Sequence, residues 1–198
     1  MEQRTVTDKF RMAMGLFIAS ESVFFVILIL AFVFYRDSPA NRGGPTPFNT
    51  LAVGRMVIFT ACLYLSSLTI YVAGRGHKQG DDARWRLWLF LTIGLGAAFL
   101  YGEATEYTTM IGRLHMTPHS DLFSSTFFAL TGFHGLHVFV GLTMLAILLG
   151  LTFAGYLRAG RRRGAVESIS LYWHFVDAVW VVIFPTVYLW SLVGSVGR

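Results

Sequence analysis

Five stretches of this chain are long and apolar enough to cross a lipid bilayer: Met12–Tyr35, Leu51–Ala73, Leu87–Thr109, Leu122–Tyr156 and Ile169–Val193. A helix needs roughly 20 mostly apolar residues to span ~30 Å of hydrocarbon. Within that hydrocarbon every backbone N–H and C=O must find its partner inside the protein, which leaves helices for segments of this length. The expected fold is therefore all-α: a polytopic bundle of five transmembrane helices forming one domain over residues 1–198. Composition agrees, since 14% of the residues are charged, against about 25% in soluble domains. With 18 Phe, 8 Tyr and 5 Trp the chain is no disordered polymer either. The first span is too long for a signal peptide and no clear small-residue cleavage site follows it, so it reads as retained. A single cysteine, Cys62, excludes a disulfide framework, a cysteine zinc site and an iron–sulfur cluster held by this chain alone. In the second span it reads as a small apolar residue.

The segments between the spans are short and hydrophilic. Arg36–Asn49 is rich in Pro and Gly, Gly74–Arg86 is polar, Met110–Asp121 carries His115, Pro118 and His119, and Arg158–Ser168 is basic. None is long enough for a soluble domain, and no internal repeat stands out. Eleven basic residues lie on one side: Arg4, Lys9 and Arg11, then Arg75, Lys78, Arg84 and Arg86, then Arg158, Arg161, Arg162 and Arg163. The other side has Arg36, Arg42, Arg113 and Arg198, with Arg55 at the start of span two. Positive residues stay with the cytoplasm, so the N-terminus is expected inside and the C-terminus outside. Trp85, Trp88, Tyr172, Trp173, Tyr188 and Trp190 mark the span edges, as interfacial aromatics do. The net charge of +5 is thus topogenic and lipid-directed, and nucleic acid is not an expected partner.

An ionisable group inside a span costs about 2.5–3.5 kcal/mol on insertion scales, so each one needs a reason. They are Glu21 in span one, Glu103 and Glu106 in span three, His134 and His137 in span four, and His174 and Asp177 in span five. At a rise of ~1.5 Å per residue, Glu21 lies roughly 14 Å deep and Asp177 near 12 Å, in one layer with the two span-four histidines. Two readings of Glu21 stand side by side. It is a proton-relaying, lipid-binding or site-sensing carboxyl, or a protonated carboxyl bonded to a histidine or hydroxyl of a neighbouring helix. Span four is the expected source of that partner, through His137 or His134.

His134 and His137 share one helical face, a spacing that can chelate a metal or bind haem. Interhelical hydrogen bonding beside Gly132 and Gly135, which let a neighbouring backbone approach, is the simpler reading. No Cys or carboxylate one turn away completes a metal site. His174 and Asp177 read likewise as a helix–helix polar clamp. Ser124, Ser125, Thr126 and Thr131 add small hydroxyls suited to close packing. Glu103 and Glu106 fall within the last two turns of the expected third span, so a solvated helix end is the default, with Arg55 as an ionic partner. Pro185 removes a backbone donor in span five and is expected to kink it.

Four segments go beyond generic membrane patterning. The run Ser125-Thr126-Phe127-Phe128-Ala129-Leu130-Thr131-Gly132-Phe133-His134-Gly135-Leu136-His137-Val138 resembles a signature of subunit III of haem–copper oxidases. Tyr172-Trp173-His174-Phe175-Val176-Asp177-Ala178-Val179-Trp180 resembles that family's last-helix signature, and Leu16-Phe17-Ile18-Ala19-Ser20-Glu21-Ser22-Val23-Phe24-Phe25 the helix carrying its embedded carboxyl. Ala104-Thr105-Glu106-Tyr107 is similar to its small–small–Glu–Tyr motif. The matches follow family order from about residue 11 to 190 and resemble the five-helix bacterial form. Glu103, where many relatives carry glutamine, and Pro185 depart from the pattern.

The resemblance implies a non-redox subunit of a proton-pumping terminal oxidase in the bacterial plasma (inner) membrane. It implies packing against subunit I, with subunit II and other subunits in the same complex, and phospholipid bound between helices. Haem and copper would belong to the partner subunits and no cofactor to this chain. Glu21 becomes the embedded carboxyl, and His134, His137, His174 and Asp177 members of shared helix–helix signatures. Competing readings are subunit III of a quinol oxidase, the accessory subunit of a nitric oxide reductase, and a small proton-coupled transporter using Glu21 and Asp177. Transporters often carry paired repeats, which this chain lacks. A haem-binding electron carrier using His134 or His137 is a further reading, which a visible spectrum separates.

Overall fold

The computed structural model describes residues 2–36, 53–157 and 163–189. The Pro- and Gly-rich segment after Arg36, the first two residues of the expected second span, the end of the expected fifth span with Trp190, and Arg42, Arg158, Arg161, Arg162 and Arg198 lie outside them. Five long helices account for nearly everything described: α1 (Glu2–Arg36), α2 (Val53–Gln79), α3 (Asp82–Leu114), α4 (Leu122–Phe153) and α5 (Arg163–Phe184). Each holds a window long and apolar enough to cross a membrane. Among the described residues there are no strands.

The helices run further than hydropathy alone marks. The polar segment between spans two and three is mostly helical, leaving Gly80 and Asp81 as the turn. Gly80 adopts φ +80°, a left-handed value that glycine takes without steric cost. The Gly80 amide bonds to the His77 carbonyl and the Asp81 amide to the Gly76 carbonyl, closing the end of α2. Asp81 then caps α3 by accepting from the Arg84 amide at 2.9 Å. At the far end α3 continues to Leu114 and stops where His115 takes φ +52°. Asp121 caps α4 with bonds from the Ser124 amide and hydroxyl, both 2.8 Å. Pro185 lacks an amide proton, and there α5 passes into a π-helical turn, Pro185–Leu189, rather than continuing as α-helix.

α2 and α3 form an antiparallel hairpin; α3 packs on α4, α2 on α5, α4 on α5, and α1 on both α4 and α5. Burial follows: 44% of the apolar window of α5 is buried against 11% of that of α1, so α5 is central and α1 a flank. Arg11 of α1 and Lys78 of α2 both pair with Glu167 of α5, at 2.5 and 3.5 Å. At the opposite end Arg36 donates to the Thr186 carbonyl and Tyr188 to Glu106. The helices therefore alternate in direction, as the two-sided charge pattern requires.

Tryptophans lock this arrangement. Trp173 fills a slot between Gly96 of α3 and Gly141 of α4, where a Cβ on either glycine would fall 2.7 or 2.8 Å from its ring. Its indole N–H donates to Ser66 at 3.0 Å, Trp180 donates to Thr60 and Trp85 to Thr152, each at 3.1 Å. All three indoles are buried. In lipid the driving force between helices is packing and such bonds, worth ~0.6 kcal/mol each on average.

Candidate functional site

Glu21 sits on α1, the flanking helix, and meets α4 where the depth argument places a partner. Its Oε2 lies 3.1 Å from His137 Nε2. The other ring nitrogen, Nδ1, lies 2.6 Å from the Phe133 carbonyl. A carbonyl only accepts, so Nδ1 carries a proton and donates it. One further proton then serves Nε2 and the carboxyl together: either Glu21–OH donates to a neutral ring, or an imidazolium donates to a carboxylate. Ser22 turns away and bonds to the Ile18 carbonyl at 2.7 Å. Tyr172 of α5 donates to the His137 carbonyl at 3.1 Å, and Phe25 packs edge-on to the ring at 5.0 Å. The pair is not sealed, with side-chain exposures of 22% for Glu21 and 13% for His137.

His134, one turn earlier, corrects the expectation of interhelical hydrogen bonding. It is fully buried and stacks on Trp180 at 4.7 Å, with Phe99 and Phe25 edge-on at 5.9 and 6.3 Å. Neither ring nitrogen has a hydrogen-bond partner among the described residues. The aromatic box comes from α1, α3 and α5, and its members share no sequence signal with His134.

His174 and Asp177 do clamp two helices, through a residue that sequence reasoning missed. Ser67 of α2 lies 3.1 Å from His174 Nδ1 and donates to Asp177 Oδ2. A serine in an apolar helix carries no signal of its own; only the antiparallel pairing of α2 with α5 brings it there.

Glu103 and Glu106 are the clearest correction. Both are buried, at 4% and 5% exposure, so they are not a solvated helix end. The cause is the length of α3, which runs eight residues beyond Glu106 before it ends at Leu114. Glu106 accepts from Tyr188 at 2.5 Å. Glu103 lies against α4, where a Cβ on Gly135 would sit 2.7 Å from its Oε2. A carboxyl side chain, rather than a helix backbone, occupies the space that Gly135 provides. Tyr107 likewise reaches α4, bonding to Thr131 at 2.7 Å and passing 3.4 Å from a Cβ built on Gly132. Arg55 is exposed and makes no ion pair with either glutamate among the described residues.

Among the described residues, the ionisable groups singled out in the spans, His134 aside, fall into an α1–α4 pair, an α2–α5 clamp and two α3 carboxyls. Among the described residues no three His, Cys, Asp or Glu side chains converge as a metal site. The histidine spacing that could chelate is spent otherwise, one ring in an aromatic box and the other engaged at both nitrogens. Cys62 is half-buried and free.

Comparison with known proteins places this architecture. The family model described as cytochrome c oxidase subunit III matches residues 1–192. Cytochrome c oxidase subunit 3 of Bacillus subtilis is 36% identical over 185 residues, covering 90% of this chain and 85% of that protein. The Corynebacterium diphtheriae protein of the same name is 37% identical over 177 residues, covering 87% and 83%. That of Lumbricus terrestris is 36% identical over 196 residues, covering 94% and 72%. With five helices long and apolar enough to span a membrane and a family match over nearly its whole length, the chain is a multi-pass membrane protein that belongs to the cytochrome c oxidase subunit III family.

Proposed function

We propose that this chain is a non-redox accessory subunit of a proton-pumping cytochrome c oxidase in a bacterial inner membrane. In this reading it stabilises subunit I, holds phospholipid, and keeps proton uptake fast while oxygen is reduced to water. Haem and copper belong to the partner subunits. The observation that carries the reading is the Glu21–His137 pair, a one-proton couple set on the half-open flank between α1 and α4. A pair at a half-open flank can meet a partner surface or a lipid head group. Cytochrome c is taken as donor because the relatives carry that name. The N-terminus faces the cytoplasm, since the eleven-residue basic side is retained there.

Isolation of the complex through this chain tests the proposal. Haem- and copper-bearing chains should co-purify, and oxygen uptake should run on reduced cytochrome c and not on quinol alone. The chain separated from them should be colourless; stoichiometric haem or copper on it would overturn the reading. Reporter fusions at residues 75–80 and 161–164 should both signal cytoplasm.

A further inference from the structure

A cleft of about 260 Å³ opens between α2 and α5 at the end where α1 begins. Arg11, Arg75, Lys78 and Glu167 surround its mouth, and Ser170 and His174 line it further in. From Glu167 to His174 is seven residues along α5, roughly 10 Å at the helical rise. The volume is large enough for several waters, and Arg75, Lys78, Glu167, Ser170 and His174 offer them polar partners along a wall otherwise built from apolar residues such as Ile70, Val166 and Leu171. At the inner end the line of polar atoms does not stop. His174 Nδ1 meets Ser67 Oγ at 3.1 Å, and Ser67 meets Asp177, whose residue is 5% exposed and whose Oδ1 has no partner among the described residues. The titratable groups facing Asp177 are His174 on its own helix and Tyr64 on α2.

We propose that this cleft is an aqueous inlet through which Asp177 exchanges its proton with the compartment on the N-terminal side, with His174 and Ser67 carrying the proton. The valences allow it. While Asp177 is a carboxylate, the single Ser67 proton is donated to it, and the serine oxygen accepts from His174 Nδ1–H. A hydronium in the cleft gives a proton to His174 Nε2 and becomes water. The Nδ1 proton passes to Ser67 and the serine proton to Asp177. The imidazole is left neutral with its proton on Nε2, Asp177 now donates to Ser67, and Ser67 donates to Nδ1. One proton has moved inward, every hydrogen bond has reversed, and nothing else is consumed. This inference concerns how Asp177 meets water and stands apart from what the oxidase does with it.

Two measurements on the assembled complex in sealed membranes test it. In a Cys62→Ser background, Ser170→Cys should react with a charged, membrane-impermeant thiosulfonate added on the N-terminal side and not on the other. Reaction from the other side, or no reaction, overturns the inlet; reaction only after delipidation means that a lipid fills the cleft and overturns it as well. Second, the infrared carbonyl band lost in Asp177→Asn should shift promptly in heavy water. Ser67→Ala should slow that shift on the order of a hundredfold, the scale on which a lost proton carrier shows, and Ser67→Thr should restore it. A rate indifferent to Ser67, or no exchangeable band from Asp177, contradicts the proposal.

Discussion

His137 and His134 lie one turn apart on α4 and meet opposite surroundings. His137 faces α1, the flanking helix, and both of its nitrogens are engaged, one by the Phe133 carbonyl and one by Glu21. His134 faces inward to Trp180, Phe99 and Phe25, and neither of its nitrogens is engaged among the described residues. The same residue type, three positions away, is a proton-sharing group at one site and a flat packing ring at the other. What separates them is the helix each faces: a peripheral one with a carboxyl, or the aromatic interior built around α5. Intramembrane polar residues therefore divide by direction as much as by depth.

Substitutions that break the interior should have the largest effects. Trp180→Ala removes the ring under His134 and the bond to Thr60. It should destabilise the subunit by about 3–5 kcal/mol, the range for a buried large aromatic. The check is the temperature at which this chain dissociates from the complex. Gly135→Val would drive a side chain into Glu103 and should cost about 1–3 kcal/mol by overpacking. Loss at Gly135 no greater than at Gly94, where a Cβ would meet nothing within 4 Å, would remove Glu103 from that contact.

The comparison sharpens in the histidines themselves. His137→Leu leaves the half-buried Glu21 without its partner and should cost about 1–3 kcal/mol, the scale of the penalty for a polar group left unsatisfied. His134→Phe forfeits no hydrogen bond to the described residues and should change stability by less than about 1.5 kcal/mol, as a swap of similar size does. Equal losses at the two positions would erase the distinction. Smallest of all should be Arg11→Ala, which breaks an ion pair with Glu167 whose side chains are 55% and 24% exposed; exposed pairs contribute about 0–1 kcal/mol.

Hydropathy made the five helices legible, because lipid demands a contiguous apolar length and nothing in the tertiary structure can waive it. Depth counting along the helices also brought Glu21 to the level of His137, since rise per residue is a property of the helix alone. The method failed where it relied on where a helix ends. α3 continues to Leu114, so carboxyls assigned to water at Glu103 and Glu106 lie inside the bundle. It was also silent on partners contributed by other helices. Ser67 and the box of Phe25, Phe99 and Trp180 are ordinary membrane residues in sequence, and only the packing of α2 and α1 against α5 gives them a role. Signature resemblance carried the family; it carried nothing about which histidine was bonded.

The central claim is that Glu21 and His137 form a one-proton couple serving the oxidase from the flank, rather than a strut holding the bundle together. Glu21→Gln tests it most directly, because the amide N–H can donate to His137 Nε2 as a protonated carboxyl does, while no proton can be released. The complex carrying it should retain this chain in full stoichiometry and begin turnover with cytochrome c near the native rate, then lose activity sooner over successive turnovers. A complex that sheds the chain would show that Glu21 and His137 form a structural ion pair, whose disruption strands a half-buried charge. A complex whose active lifetime is unchanged would show that the couple has no part in turnover.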